Sequence, residues 1–232
     1  MKKRTLITIA AIAVSSGMAS AQFDAQYIGL TGVNNAIHID NGGSIDQDFN
    51  AGYLTFEYVG AGDRGEGQYE GGSFSGFCIE LQSILGGVQT YDIDAIKNAP
   101  DPVGGAGEDA YDLADQGEVM AVVAAAIRLG WIEDDLSAGV NVSNRRLAAI
   151  QGKIWEAVLD NSTVTANAVV LTAWNDLTAE IANDPNATVS NLRAMLNADT
   201  QDQLFIVPLP TAALAGLMTL GGLAGFSRIR RR

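Results

Sequence analysis

The chain has 232 residues, 14 basic and 27 acidic, with a single histidine and a single cysteine. One cysteine rules out an internal disulfide and a cysteine-clustered zinc site, and His38 leaves only one imidazole base, with no residues arranged to support it in a Ser-His-Asp or Cys-His centre. Seven basic residues lie at the two ends, so residues 22–206 carry 7 basic against 27 acidic side chains, a net charge of −20 that repels nucleic acid and anionic membranes.

Taken in chain order, Met1, Lys2, Lys3 and Arg4 open a basic segment, residues 6–14 are apolar, and Ala19, Ser20 and Ala21 form a small-x-small site. That order predicts a secretory signal peptide over 1–21, cleaved after Ala21. The apolar run is too short to span a bilayer, which takes ~20 residues. Residues 22–206 then form one domain of ordinary size, able to bury a full core. Its first half reads as strands. Residues 53–59 are aromatic and β-branched between glycine clusters, and 73–81 and 88–93 are further strand candidates. Residues 98–107, with two prolines and several glycines, read as a loop. The second half reads as helices. Residues 118–129 are nearly all apolar and stop at Gly130, which predicts a core-central helix with a glycine cap. Ser143 can cap a helix to about 159, Thr165 one with Val170, Trp174, Leu177 and Ile181 along its stripe, and Ser190 a short one through 196. Residues 203–207 look like a closing strand. Strands first and helices later give an α+β domain, with a β-rich N-terminal half packed against a helical C-terminal half.

After Val207-Pro208-Leu209-Pro210 come 17 uncharged residues (211–227) and then Arg228, Ile229, Arg230, Arg231 and Arg232. Seventeen residues is at the short end of the ~17–25 that span a membrane. The basic residues at both ends are expected to stay cytoplasmic, so the part between them is translocated. A plain tail anchor would look much the same. The Val-Pro-Leu-Pro block, the Gly/Ala/Leu-rich stretch and the arginine cluster together resemble a PEP-CTERM sorting tail of the Val-Pro-Leu-Pro-Ala variant, with Thr211 in place of the alanine. The resemblance covers residues 207–232. It implies an exosortase-type processing enzyme as partner, passage through the inner membrane, and a final place at the cell surface or in an exopolysaccharide matrix.

Two residues of the middle domain are out of pattern. Leu147, Ile150, Ile154 and Val158 line one face of the helix from Ser143, and Gln151 lies on that same face with Trp155 a turn further on. A buried amide must find partners or cost about 1–3 kcal/mol per unmet group, and a hydrogen bond to a neighbouring loop would meet that need. In the strand around Cys78, alternation groups Phe77, Ile79 and Leu81, and places Cys78 with Glu80 and Gln82 on the other face. A small buried hydrophobe is the ordinary role for such a thiol.

Ile150-Gln151-Gly152-Lys153-Ile154-Trp155 resembles the Thr-Gln-x-Ala-Ile-Trp motif of bacterial surface thioester domains, and Phe77-Cys78 resembles their cysteine site. The match runs from residue 77 to about 159, with Ile150 and Lys153 replacing the threonine and alanine. It implies a bond between the Cys78 thiol and the Gln151 side chain, with Phe77, Ile154 and Trp155 supporting the motif. An amine or hydroxyl on a partner protein or polysaccharide would open that bond. This is single-use attachment, without turnover or cofactor. Gln82, four residues after Cys78, ranks below Gln151 as acyl partner. Three rivals remain at this level. They are a non-covalent matrix protein, a two-carboxylate hydrolase, and a metal loop at Asp40, Asp46 and Asp48, which lacks the spacing of a calcium loop.

Overall fold

The computed structural model describes residues 21–60, 72–100 and 110–207. The signal-peptide segment apart from Ala21, and the sorting tail after Val207, lie outside them. Among the described residues no helix is long and apolar enough to cross a membrane.

The chain forms a mixed α+β fold. Its strands are β1 (Ala21–Asp40), β2 (Asp46–Gly60), β3 (Ser73–Cys78), β4 (Val88–Asp94), β5 (Thr163–Ala166), β6 (Leu192–Leu196) and β7 (Gln203–Ile206). The α-helices among the described residues are α1 (Leu113–Arg128), α2 (Asn144–Val158) and α3 (Leu171–Asn183). The strand order β2-β3-β7-β6-β4-β1-β5 closes on itself, because β1 also pairs with β2. Six antiparallel strands therefore make a ring, with β5 added to the far half of β1. Closure works because β1 is long: residues 21–26 pair with β4 and residues 37–40 with β5, while β2 runs along its other edge. The ring is filled by aromatic side chains. Phe23 lies 5.3 Å from Phe205 and 5.7 Å from Phe74, and Phe74 stacks on Phe56 at 5.4 Å. Ring pairs at these distances add about 0.5–1.5 kcal/mol each beyond their burial.

The strands predicted around 53–59 and 88–93 lie in β2 and β4, while those at 73–81 and 203–207 overlap β3 and β7, which stop at Cys78 and Ile206. Ser143 caps α2 by accepting from the Arg146 N–H, and α1 ends before Gly130, whose φ is +66°. Other expectations are corrected. The C-terminal half is not purely helical, since β5, β6 and β7 interleave with the helices. The segment 190–196 expected as a short helix instead holds strand β6 from Leu192, which completes the ring between β4 and β7. Thr165 lies inside β5, and α3 begins later without a side-chain cap. The central helix is α2 rather than α1. It is buried almost all round, packed on β1, β2, β3, α1 and α3.

Candidate functional site

The strand ladder explains where Gln151 sits. Along β3, Phe74 and Gly76 pair with Phe56 and Leu54 of β2, and the Gly72 carbonyl accepts from Tyr58 N–H. Even-numbered residues therefore turn their main-chain groups toward β2, while Phe77 and Ile79 turn toward β7, the latter through its N–H to the Asp202 carbonyl at 3.1 Å. The β2 ladder stops at Gly76. Cys78 is the next residue in that phase, and the side chain of Gln151 takes the place of the missing strand. The Cys78 N–H donates to Gln151 Oε1 at 2.8 Å, and Gln151 Nε2 donates to the Cys78 carbonyl at 2.8 Å. The amide lies about halfway along α2, not near its start, and it answers two main-chain groups that would otherwise be orphaned.

The two predicted residues, 73 positions apart, are thus brought into direct contact. The thiol itself points elsewhere. Cys78 Sγ donates to Gln201 Oε1 at 2.9 Å, and Gln203 faces Cys78 across the β3–β7 pair. Burial pushes the Cys78 thiol up to about 12, opposed by the Gln203 side chain, with the charge of Glu80 adding to the rise. The thiol is therefore protonated at neutral pH.

Phe77, Ile154 and Trp155, the residues expected to support the motif, are all buried. Trp155 meets the ring of Phe49 at 5.8 Å, and Phe77 that of Tyr53 at 6.4 Å. Lys153, at the motif's alanine position, is also buried. Its Nζ sits 4.2 Å over the Trp174 ring and bonds Glu156. Strand alternation does not extend past Cys78, where β3 ends, and Phe77, Cys78, Ile79 and Glu80 are all buried, with the charge of Glu80 felt at the thiol. Gln82 is exposed and apart from the thiol's contacts.

Three residues of the site were missed in the sequence. Gln201, Asp202 and Gln203 are buried and consecutive, and they close the cysteine from the β7 side. Gln201 Nε2 donates to the Glu80 carbonyl at 2.6 Å, Gln203 Nε2 to the Gln201 carbonyl at 3.1 Å, and Asp202 N–H to Glu80 Oε2 at 2.8 Å. A polar run before a strand reads as a turn, so only the presence of three amide or acid side chains beside a predicted strand hinted at them. Asp202 Oδ1 accepts from Asn197 N–H at 2.7 Å, while Oδ2 is buried with no partner. Its carboxyl is pushed up to about 7, by burial first and by the charge of Glu80, against the Asn197 bond.

The other acidic constellation lies far along the β1–β2 hairpin. His38 Nδ1 meets Asp48 at 3.0 Å and Nε2 meets Asp46 at 3.3 Å, with the two aspartates exposed and His38 half-buried. Among the described residues no three His, Cys, Asp or Glu side chains converge to hold a metal ion. Compared with known proteins, the chain matches no family model, no curated protein and no solved structure.

Proposed function

We propose that this chain is an exported surface or matrix protein that attaches to a partner through an internal thioester between Cys78 and Gln151. The observation that carries the reading is the paired hydrogen bonding of the Gln151 amide with both main-chain groups of Cys78 in a buried site. Such a pairing fixes the acyl carbon beside the residue that would attack it, which is the main requirement for an unreactive amide to react. It also places the Cys78 N–H on the oxygen that would carry negative charge in the tetrahedral intermediate.

The reaction is balanced without a co-reactant. The Sγ–Cδ bond forms, the Cδ–Nε2 bond breaks, and the thiol proton leaves with the nitrogen as ammonia. Because the thiol is held protonated, the sulfur must first leave Gln201 Oε1, and the step is slow in the absence of a base. An amine or hydroxyl of the partner then attacks the same carbon, giving an amide or ester at residue 151 and a free Cys78 thiol. The reading includes the sorting tail from Val207 to Arg232, trimmed by an exosortase-type enzyme at the inner membrane, with an amine- or hydroxyl-bearing protein or polysaccharide as the partner.

A second reading is a non-covalent matrix protein in which Gln151 is a clamp for the end of β3. The thiol's hydrogen bond to Gln201 rather than Gln151 favours it. Intact mass separates the two. Under the thioester reading the purified protein weighs one ammonia less than its sequence, methylamine adds at residue 151 and releases one titratable thiol, and Cys78→Ala restores the full mass. A full sequence mass with a freely alkylated Cys78 under denaturing conditions sinks the covalent reading.

A further inference from the structure

An open groove of about 990 Å³ runs over the ends of β4 and β6 and reaches Glu80 and Asp202, which neighbour the cysteine site. Among the described residues its lining carries four carboxylates, Glu80, Asp92, Asp199 and Asp202, and no lysine or arginine. Asp92 and Asp199 stand exposed at its rim. Asp202 is different: it is 1% exposed and belongs to the groove lining, and its Oδ2 has no hydrogen-bond partner. A buried carboxylate oxygen without a donor is costly. The position of Asp202 ties the groove to the site, since it lies between Gln201, which holds the thiol, and Gln203, which pairs with Cys78. No three ligating side chains converge on a metal among the described residues, so the missing donor is better supplied by N–H groups than by a cation such as calcium.

We propose that the groove binds a primary ammonium group, with Asp202 Oδ2 as its seat and Asp92 and Asp199 guiding its approach. An ammonium brings three donors and a charge to an oxygen that lacks both, in a groove whose rim attracts it from a distance. The inference deepens the attachment reading, because the seat, Asp202, is flanked in the chain by Gln201 and Gln203, which contact the cysteine that reading uses. The binding itself does not need the thioester.

The charged and titratable groups around Asp202 are Glu80 after β3, Tyr91 on β4 and the Cys78 thiol, with Asp92 and Asp199 at the rim. A lysine ammonium stays charged throughout the neutral range. Binding therefore follows the ionised fraction of Asp202, and with its carboxyl near 7 the affinity should rise roughly tenfold from pH 6 to pH 8.

The test uses the full chain carrying Cys78→Ala, which cannot form a thioester, so its outcome is separable from that of the mass measurement. The probe is Nα-acetyl-lysine methylamide, followed by amide chemical shifts of Asn197 and Asp202, and its Nε-acetylated form is the neutral control. The expected result is saturable shifts with the charged probe alone, about tenfold tighter at pH 8 than at pH 6, and lost on adding Asp202→Asn. Equal response to the neutral control, or unchanged affinity and pH dependence with Asp202→Asn, overturns the proposal. Should Asp202→Asn fail to fold, the rim pair Asp92→Asn with Asp199→Asn decides, since a several-fold loss is expected and unaltered binding overturns the assignment.

Discussion

Gln151 shows how one side chain can stand in for a strand. The β2–β3 ladder stops at Gly76, and the next outward-facing main-chain groups, those of Cys78, are answered by a helix-borne amide. Replacing it by a side chain of similar bulk without hydrogen-bonding groups, Gln151→Met, strands a buried N–H and a buried carbonyl. The expected loss is roughly 2–5 kcal/mol, read from urea unfolding in a Cys78→Ala background that removes any covalent contribution. An unchanged midpoint would mean that water or a neighbour meets both groups. Asp202 makes a second prediction at this scale. Its carboxyl is raised to about 7 in the folded protein, while in the unfolded chain it titrates near 4. Between those values the folded state holds a proton that the unfolded state has released. The stability it contributes is complete below about pH 4 and is lost as pH rises through 7. Asp202→Asn should therefore gain about 3 kcal/mol relative to the parent between pH 4.5 and pH 7.5, an order-of-magnitude figure from 1.4 kcal/mol per pH unit. Parallel stability profiles for the two proteins would show that the carboxyl is not held neutral.

Among the elements, α2 holds the site together, and its closest packing runs through Gly152. A methyl group there would lie 2.5 Å from Ile37 Cδ1 on β1 and 2.6 Å from Trp174 Cζ3 on α3. In an exposed helix, glycine to alanine gains up to about 1 kcal/mol. Here overpacking of about 1–3 kcal/mol opposes that gain, so Gly152→Ala should lower the Tm by a few degrees and shift Gln151 away from Cys78. A raised Tm would show that Ile37 and Trp174 yield freely. The helix itself was legible in the sequence: its Ser143 cap, its apolar stripe and the misplaced Gln151 all follow from period and capping chemistry. The glycine gave no such sign, because its role depends on β1, from a distant part of the chain. β1 was not visible either. Residues 29–36 mix glycine, asparagine and threonine, and only the pairing of 29–33 with β2, between stretches held by β4 (21–26) and β5 (37–40), carries the strand through them. The same override turned residues 192–196 into β6: Ser190 looks like a cap for a short helix, but the ring needs a strand there. Gln201, Asp202 and Gln203 were hidden for a related reason, since polar residues before a closing strand look solvated until the loop after β3 folds over them.

At the scale of the whole molecule, the site lies where two structural layers meet. Cys78 belongs to the aromatic-filled strand ring and Gln151 to the helix that packs against it. In the absence of a bond the layers are joined at this point by two neutral hydrogen bonds, each contributing about 1 kcal/mol net. A thioester would replace that contact with a covalent link closing a 73-residue segment, which includes β4, α1 and the first half of α2. By the chain-entropy relation for cross-links, that restriction of the unfolded chain contributes about 4 kcal/mol. For a domain of this size each kcal/mol corresponds to about 2–4 °C, so opening the bond should lower the Tm by roughly 10 °C. The comparison is between the untreated protein and its methylamine product, melted at equal concentration and pH after confirming one adduct per chain. Cys78→Ala treated in the same way supplies the control and should melt at one temperature with or without methylamine. If the adduct forms and the Tm does not move, the bond exists but constrains nothing, and the stability of the ring and its helices must come from packing alone.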